Sequence, residues 1–128
     1  MSQMLVGIDV SLRSHHVHFM HGEGQTLADF SVRNDVEGAD TLIQKIVRTA
    51  EKNQTNQLKI GMEATDQYSW HLAHYLKAQC KKVLPHLQTA IYMLNARKVA
   101  RFKKGYDTLP KNDKIDCLLY TSDAADEL

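Results

Sequence analysis

Four carboxylates stand out by type and position: Asp9, Glu63, Asp113 and Asp116. Asp9 ends the apolar run Met4-Leu5-Val6-Gly7-Ile8, and Glu63 ends a second run, Leu58-Lys59-Ile60-Gly61-Met62. Asp113 and Asp116 lie three residues apart in Lys111-Asn112-Asp113-Lys114-Ile115-Asp116, and so share a face if that segment is helical. A hydrophobic strand that stops on a carboxylate sets negative charge at the end of a sheet where ligands of α/β folds bind. Carboxylates gathered there repel one another. The usual compensation is Mg2+ or Mn2+, hard cations that prefer oxygen ligands. The expected chemistry is therefore a divalent-metal site acting on phosphate.

The elements that must hold these groups can be read from hydrophobic patterning. Residues 4–10 form a strand buried on both faces, short and β-branched at Val6, Ile8 and Val10. Ser11-Leu12-Arg13-Ser14 makes a turn, and residues 15–21 alternate as a half-buried strand, with Val17 and Phe19 set against His16 and His18. Gly22-Glu23-Gly24 turns the chain into a third strand over residues 26–32. Asn34 or Asp35 caps a helix whose apolar positions are Ala39, Leu42, Ile43, Ile46 and Val47. A polar loop, residues 52–57, has no Pro or Gly break and leads to the fourth strand, 58–63. Thr65 or Asp66 then caps a helix running to about Gln79, its buried side made by Trp70, Leu72, Ala73, Tyr75 and Leu76. The pattern predicts a short fifth strand over Lys82–Pro85, a helix over roughly Thr89–Lys103 and a last helix from Lys111. Three antiparallel strands followed by strand–helix repeats give an α/β fold of the ribonuclease-H-like class: a mixed five-stranded sheet flanked by helices, with right-handed crossovers.

Composition sets the bounds. A chain of 128 residues makes one domain, and 43% hydrophobic with 24% charged residues is ordinary for a globular protein. No apolar stretch approaches the ~20 residues that span a bilayer, and no signal peptide precedes the first strand. The two cysteines have no zinc-ligand spacing and make no disulfide framework, so a cytoplasmic protein is expected.

Residues GIDVS, MEATDQYSWHLAHYL, NARKVARFKK and KNDKID, in that order, resemble the DEDD transposases of the IS-one-ten type, over residues 4–116. The resemblance implies a RuvC-like catalytic domain in which Asp9, Glu63, Asp113 and Asp116 are the acidic tetrad. It implies DNA recombination, a structured guide RNA, a homo-oligomer when full-length, and a serine nucleophile in a separate domain. The chain departs from the family pattern with Asp66 in place of Gly, Asn112 in place of Thr and Ala96 in place of Pro. Asp66 adds local negative charge and suits a helix N-cap better than an outer metal contact.

Three further segments bear on function. Arg97, Lys98, Arg101, Lys103, Lys104, Lys111 and Lys114 face only Asp107 and Asp113, with Phe102 and Tyr106 interleaved. Beside a nuclease-type site such a patch suits nucleic-acid phosphates, although a solvated helix face has the same composition. His15, His16, His18 and His21 fall on the second strand, where alternation puts His16 and His18 on one face and His15 and His21 on the other. A solvent-facing edge is expected there rather than zinc. Cys117 to Glu127 (CLLYTSDAADE) resembles the translation of a transposon-end sequencing adapter. The native domain is thus expected to cover residues 1–116, with 117–128 foreign. Asp123, Asp126 and Glu127 are the only charged side chains in that tail, so the formal charge rises from +1 to +4 without it.

Two other readings compete. Sugar-kinase and actin-type ATPases open with a similar strand but need a glycine-rich phosphate loop, which Ser11-Leu12-Arg13-Ser14 does not provide. A truncated domain, inactive alone, would instead be a non-catalytic nucleic-acid-binding or dimerising fragment.

Overall fold

Continuous apolar sequence places β1 (Gln3–Asp9) at the centre of a sheet, because Met4, Leu5, Val6 and Ile8 need cover on both faces. The computed structural model describes residues 2–64, 67–94 and 125–128. On one side β1 pairs antiparallel with β2 (Ser14–His21), which pairs antiparallel with β3 (Thr26–Arg33). On the other side it pairs parallel with β4 (Gln57–Glu63), which pairs parallel with β5 (Gln88–Leu94). A three-residue strand, β6 (Ala125–Glu127), adds antiparallel to β5 and completes the order β3-β2-β1-β4-β5-β6. The mixed five-stranded sheet is as read from the sequence. β6 extends it with residues from the segment read as foreign.

The parallel pairs require crossovers, and two 17-residue helices supply them. α1 (Val36–Lys52) begins at Asp35, whose carboxylate accepts from the Gly38 N–H at 2.7 Å, and it buries Ala39, Leu42, Ile43 and Ile46. It ends without glycine. The Thr55 N–H donates to Ala50 O at 2.9 Å and the Gln54 N–H to Glu51 O at 3.2 Å, while Gln54 takes the left-handed conformation at φ 52°. This pair of bonds is the Schellman arrangement, usually closed by Gly at the position Gln54 holds.

α2 (Gln67–Val83) buries Ser69, Leu72, Ala73, Leu76 and Cys80. Trp70, expected inside, is 41% exposed, because a helix offers one stripe to the core and Leu72, Ala73 and Leu76 define it. Tyr75 is half-buried at its edge. Both helices cover the same sheet face, packing on Met4, Val6, Ile8, Leu58, Ile60, Met62, Ile91 and Met93. Phe19 and Phe30 meet edge to face on this side, 5.1 Å between centroids, and Lys45 Nζ of α1 lies 4.8 Å above the Phe30 ring.

The fifth strand lies later than the pattern predicts. Lys82 and Val83 complete α2, with Lys81 and Lys82 placed favourably at its negative end. Pro85 forces its predecessor away from helical geometry and ends the element. Gln88–Leu94, read from sequence as the start of a helix, is β5, since Ile91 and Met93 reach the helical face of the sheet. Residues 95–103 of that expected helix, and the helix from Lys111, lie outside the described residues.

Candidate metal and nucleic-acid site

The parallel strands β1 and β4 end together. Their register pairs Ile8 with Met62, and one further step sets Asp9 beside Glu63. Ile8 and Met62 face the helices, so strand alternation turns Asp9 and Glu63 to the opposite face. Asp9 is exposed and Glu63 half-buried, and among the described residues neither carboxylate has a hydrogen-bond or ion-pair partner. Adjacent strands stand about 4.8 Å apart. Two like charges are thus held side by side, and both groups offer oxygen donors. That donor set fits a hard divalent cation, for which these residues would supply two ligands.

On the other flank of Asp9 stands His16, its direct cross-strand partner. His16 Nε2–H donates to Asp29 Oδ1 at 2.6 Å, and Ser31 Oγ lies 3.3 Å from His16 Nδ1. His18 Nδ1–H donates to the other oxygen of the same carboxylate, Asp29 Oδ2, at 3.1 Å. His18 Nε2 is buried without a hydrogen-bond partner among the described residues. Among the described residues no group of three or more His, Cys, Asp or Glu side chains is placed to hold a metal ion, and His16 and His18 share the single carboxylate of Asp29. Next to this row, Gly7 and Gly61 pair directly and lie between His18 and Tyr92. Burial, together with the negative charge of Glu127, holds the Tyr92 phenol above its ordinary range.

His15 departs from the solvent-facing expectation: it is 2% exposed. The parity of the strand contained the signal, since His15 shares its face with Val17 and Phe19. Its ring enters a polar network. The Ser11 N–H donates to His15 Nδ1 at 3.2 Å, and His15 Nε2–H donates to Asn34 Oδ1 at 3.2 Å. Asn34, one of two cap candidates for α1, has a different role. Its Nδ2 donates to Ser11 O and Leu12 O, at 3.3 and 2.9 Å, and its backbone N–H donates to Arg13 O at 2.9 Å. Both residues also line a shallow cleft of about 280 Å³ with Val36, Tyr68, His71 and Tyr75. The Tyr75 hydroxyl donates to Asp40, which raises its pKa above the ordinary phenol value.

A transposase family model, the DEDD type named for IS110, matches residues 6–121. The chain belongs to this family. The match starts within β1 before Asp9, takes in Glu63, Asp113 and Asp116, and ends five residues beyond Asp116. No curated protein matches the chain.

Among solved structures the chain is similar to RuvC of Thermus thermophilus. In complex with a Holliday junction substrate, that RuvC superposes with a TM-score of 0.57 at 9% identity, covering 98% of this chain and 99% of the other. A second Thermus thermophilus RuvC structure gives a TM-score of 0.52 at 11% identity, covering 94% and 82%. At such identities the likeness establishes the fold, and the fold is RuvC-like, of the ribonuclease-H class.

Of the four carboxylates expected to form an acidic tetrad, Asp9 and Glu63 come together at neighbouring strand ends. Asp113 and Asp116 lie outside the described residues, as do Arg97, Lys98, Arg101, Lys103, Lys104 and Lys111, and the cap candidates Thr65 and Asp66. No helix among the described residues is long and apolar enough to cross a membrane.

Proposed function

We propose that residues 1–116 are the nuclease-type catalytic domain of a DNA recombinase, in which Asp9, Glu63, Asp113 and Asp116 hold Mg2+ or Mn2+. The alignment of Asp9 with Glu63 carries this reading. Two carboxylates at the ends of adjacent parallel strands, on one face and without a partner among the described residues, cost stability unless a cation joins them. Membership of a transposase family supports DNA as the substrate. The bound cations would supply Lewis-acid stabilisation of the leaving oxygen and activation of the attacking one.

The residues of the chain have distinct parts in this scheme. Asp9 and Glu63 would hold the cation from the sheet, and Asp113 and Asp116 would supply further oxygen ligands. Arg97, Lys98, Arg101, Lys103, Lys104 and Lys111 contact phosphates and give salt-dependent, sequence-independent affinity. The nucleophilic serine belongs to a separate domain of a homo-oligomeric, cytoplasmic recombinase that works with a structured guide RNA. The 128-residue chain, with its foreign tail from Cys117, is inactive in recombination by itself.

Two experiments test this. Mn2+ titration of the chain, followed by electron paramagnetic resonance, is expected to show binding that weakens at least tenfold in Asp9→Asn and Glu63→Gln. In the complete recombinase the same variants are expected to lose strand transfer by a hundredfold or more while keeping DNA affinity. Mn2+ affinity or strand transfer that ignores these substitutions would overturn the proposal.

A further inference from the structure

We infer that His15 and Asn34 are positioning residues for Asp9, acting through the turn that follows it. The inference rests on the reading of Asp9 as a metal ligand. The chain leaves β1 at Asp9 and must reverse within Val10–Arg13 to enter β2 at Ser14. This turn has no glycine and no proline to fix its shape. The Ser11 hydroxyl ties the turn to Ser14 O, and the remaining backbone groups are gripped from outside. Asn34 and His15 satisfy Ser11 N, Ser11 O, Leu12 O and Arg13 O, and they bond to each other.

The network also has a defined sense. The backbone N–H of Ser11 makes His15 Nδ1 an acceptor. Nε2 therefore carries the proton and donates to Asn34 Oδ1, which leaves both Asn34 amide hydrogens for the carbonyls of Ser11 and Leu12. Each member orients the next. His15 is anchored by burial, at 2% exposure, and Asn34 by its place immediately before the N-cap of α1. The turn is thus tied to the first crossover helix, and the end of β1 inherits its rigidity. A carboxylate beside a second one would otherwise relieve repulsion by moving away. Groups hydrogen-bonded directly to a metal ligand typically change affinity ten- to a hundredfold when removed, and His15 and Asn34, which act through the backbone, belong at the lower end of that range.

The test is Mn2+ titration, read by electron paramagnetic resonance, on the 128-residue chain and its variants, with circular dichroism and urea unfolding as controls for folding. Asn34→Ala, which truncates a half-exposed side chain, is expected to fold and to bind Mn2+ about tenfold more weakly. His15→Phe fills the buried space without the hydrogen bonds and is expected to lose a similar factor. His15→Gln, which offers an acceptor towards Ser11 and a donor towards Asn34, is expected to stay within about threefold of the unaltered chain.

The outcomes separate the two claims. If the unaltered chain binds no Mn2+, or binds it equally after Asp9→Asn, the metal reading fails. If Asp9→Asn weakens binding but folded Asn34→Ala and His15→Phe bind as tightly as the unaltered chain, the positioning role alone is overturned. Should Asn34→Ala not unfold cooperatively, Asn34→Ser decides in its place, since it keeps one short polar group. A Ser variant that folds and binds Mn2+ with unchanged affinity counts against the inference.

Discussion

Asp9 and Glu63 stand side by side one residue past the Ile8–Met62 pair, on the sheet face turned away from both helices. They come from segments more than fifty residues apart, and β1 and β4 deliver them in register. The arrangement has a thermodynamic signature. Like charges directly across neighbouring strands cost up to about 1 kcal/mol. Urea unfolding in EDTA should therefore show Asp9→Asn to be more stable than the unaltered chain by roughly 0.5 kcal/mol. Saturating Mg2+ should reverse the order, because a ligand at a hundred times its Kd adds about 2.7 kcal/mol to the form that binds it. A variant that is less stable in EDTA would show that the carboxylate has a structural partner.

Gln54 holds φ 52° at the C-terminus of α1, where L-residues are strained. Gln54→Gly should raise stability by about 0.5–1 kcal/mol, since glycine takes this conformation without steric cost. Gln54→Val should lower it. Thermal unfolding of the two variants checks both signs.

Gly38 gives the opposite result to helix propensity. Within α1 an alanine would ordinarily be favoured over glycine by up to about 1 kcal/mol. Here an added Cβ would stand 1.9 Å from the carbonyl oxygen of Arg33 and 2.7 Å from its carbon. Backbone must move, so Gly38→Ala is expected to destabilise by roughly 1–3 kcal/mol. Chemical unfolding gives the sign directly.

Cys80 is fully buried on α2, and desolvation pushes its thiol up to about 11 from 9.0. An acid whose folded pKa lies above its unfolded value contributes stability that is complete below the unfolded value and is lost as pH rises towards the folded one. Stability should accordingly fall between about pH 9 and pH 11, and Cys80→Ala should flatten that limb. Near neutral pH the native thiol should react with iodoacetamide only at the rate of unfolding.

Much of this was legible in the sequence. β1, β4 and α1 are plain because a continuous apolar run ending in an acid, or a capped helical stripe, has one sensible reading. Gln88–Leu94 was ambiguous: Ala90, Ile91 and Leu94 fit a helical face as well as a buried strand, and only pairing with β4 decides. Trp70 was placed inside on hydrophobicity, whereas the narrow stripe of Leu72, Ala73 and Leu76 had already filled the buried side. Asn34 reads only as a cap, because its four hydrogen bonds reach residues 19 to 23 positions back, which no local pattern encodes. The pairing of Asp9 with Glu63 was anticipated by type, but its register required the sheet.

The strand order also sets the sequence of events during folding. β1 meets β2 after a turn of a few residues, but meets β4 only after a span that includes β2, β3 and α1. Closing that span costs chain entropy before any parallel contact repays it, and such non-local pairings form slowly. The hairpins and α1 are local enough to form first. The two acidic groups therefore meet late, and an emerging polypeptide exposes Asp9 alone until Glu63 has left the ribosome and docked. The proposed metal affinity would in this sense report on completed topology, acquired in the step that inserts β4 beside β1.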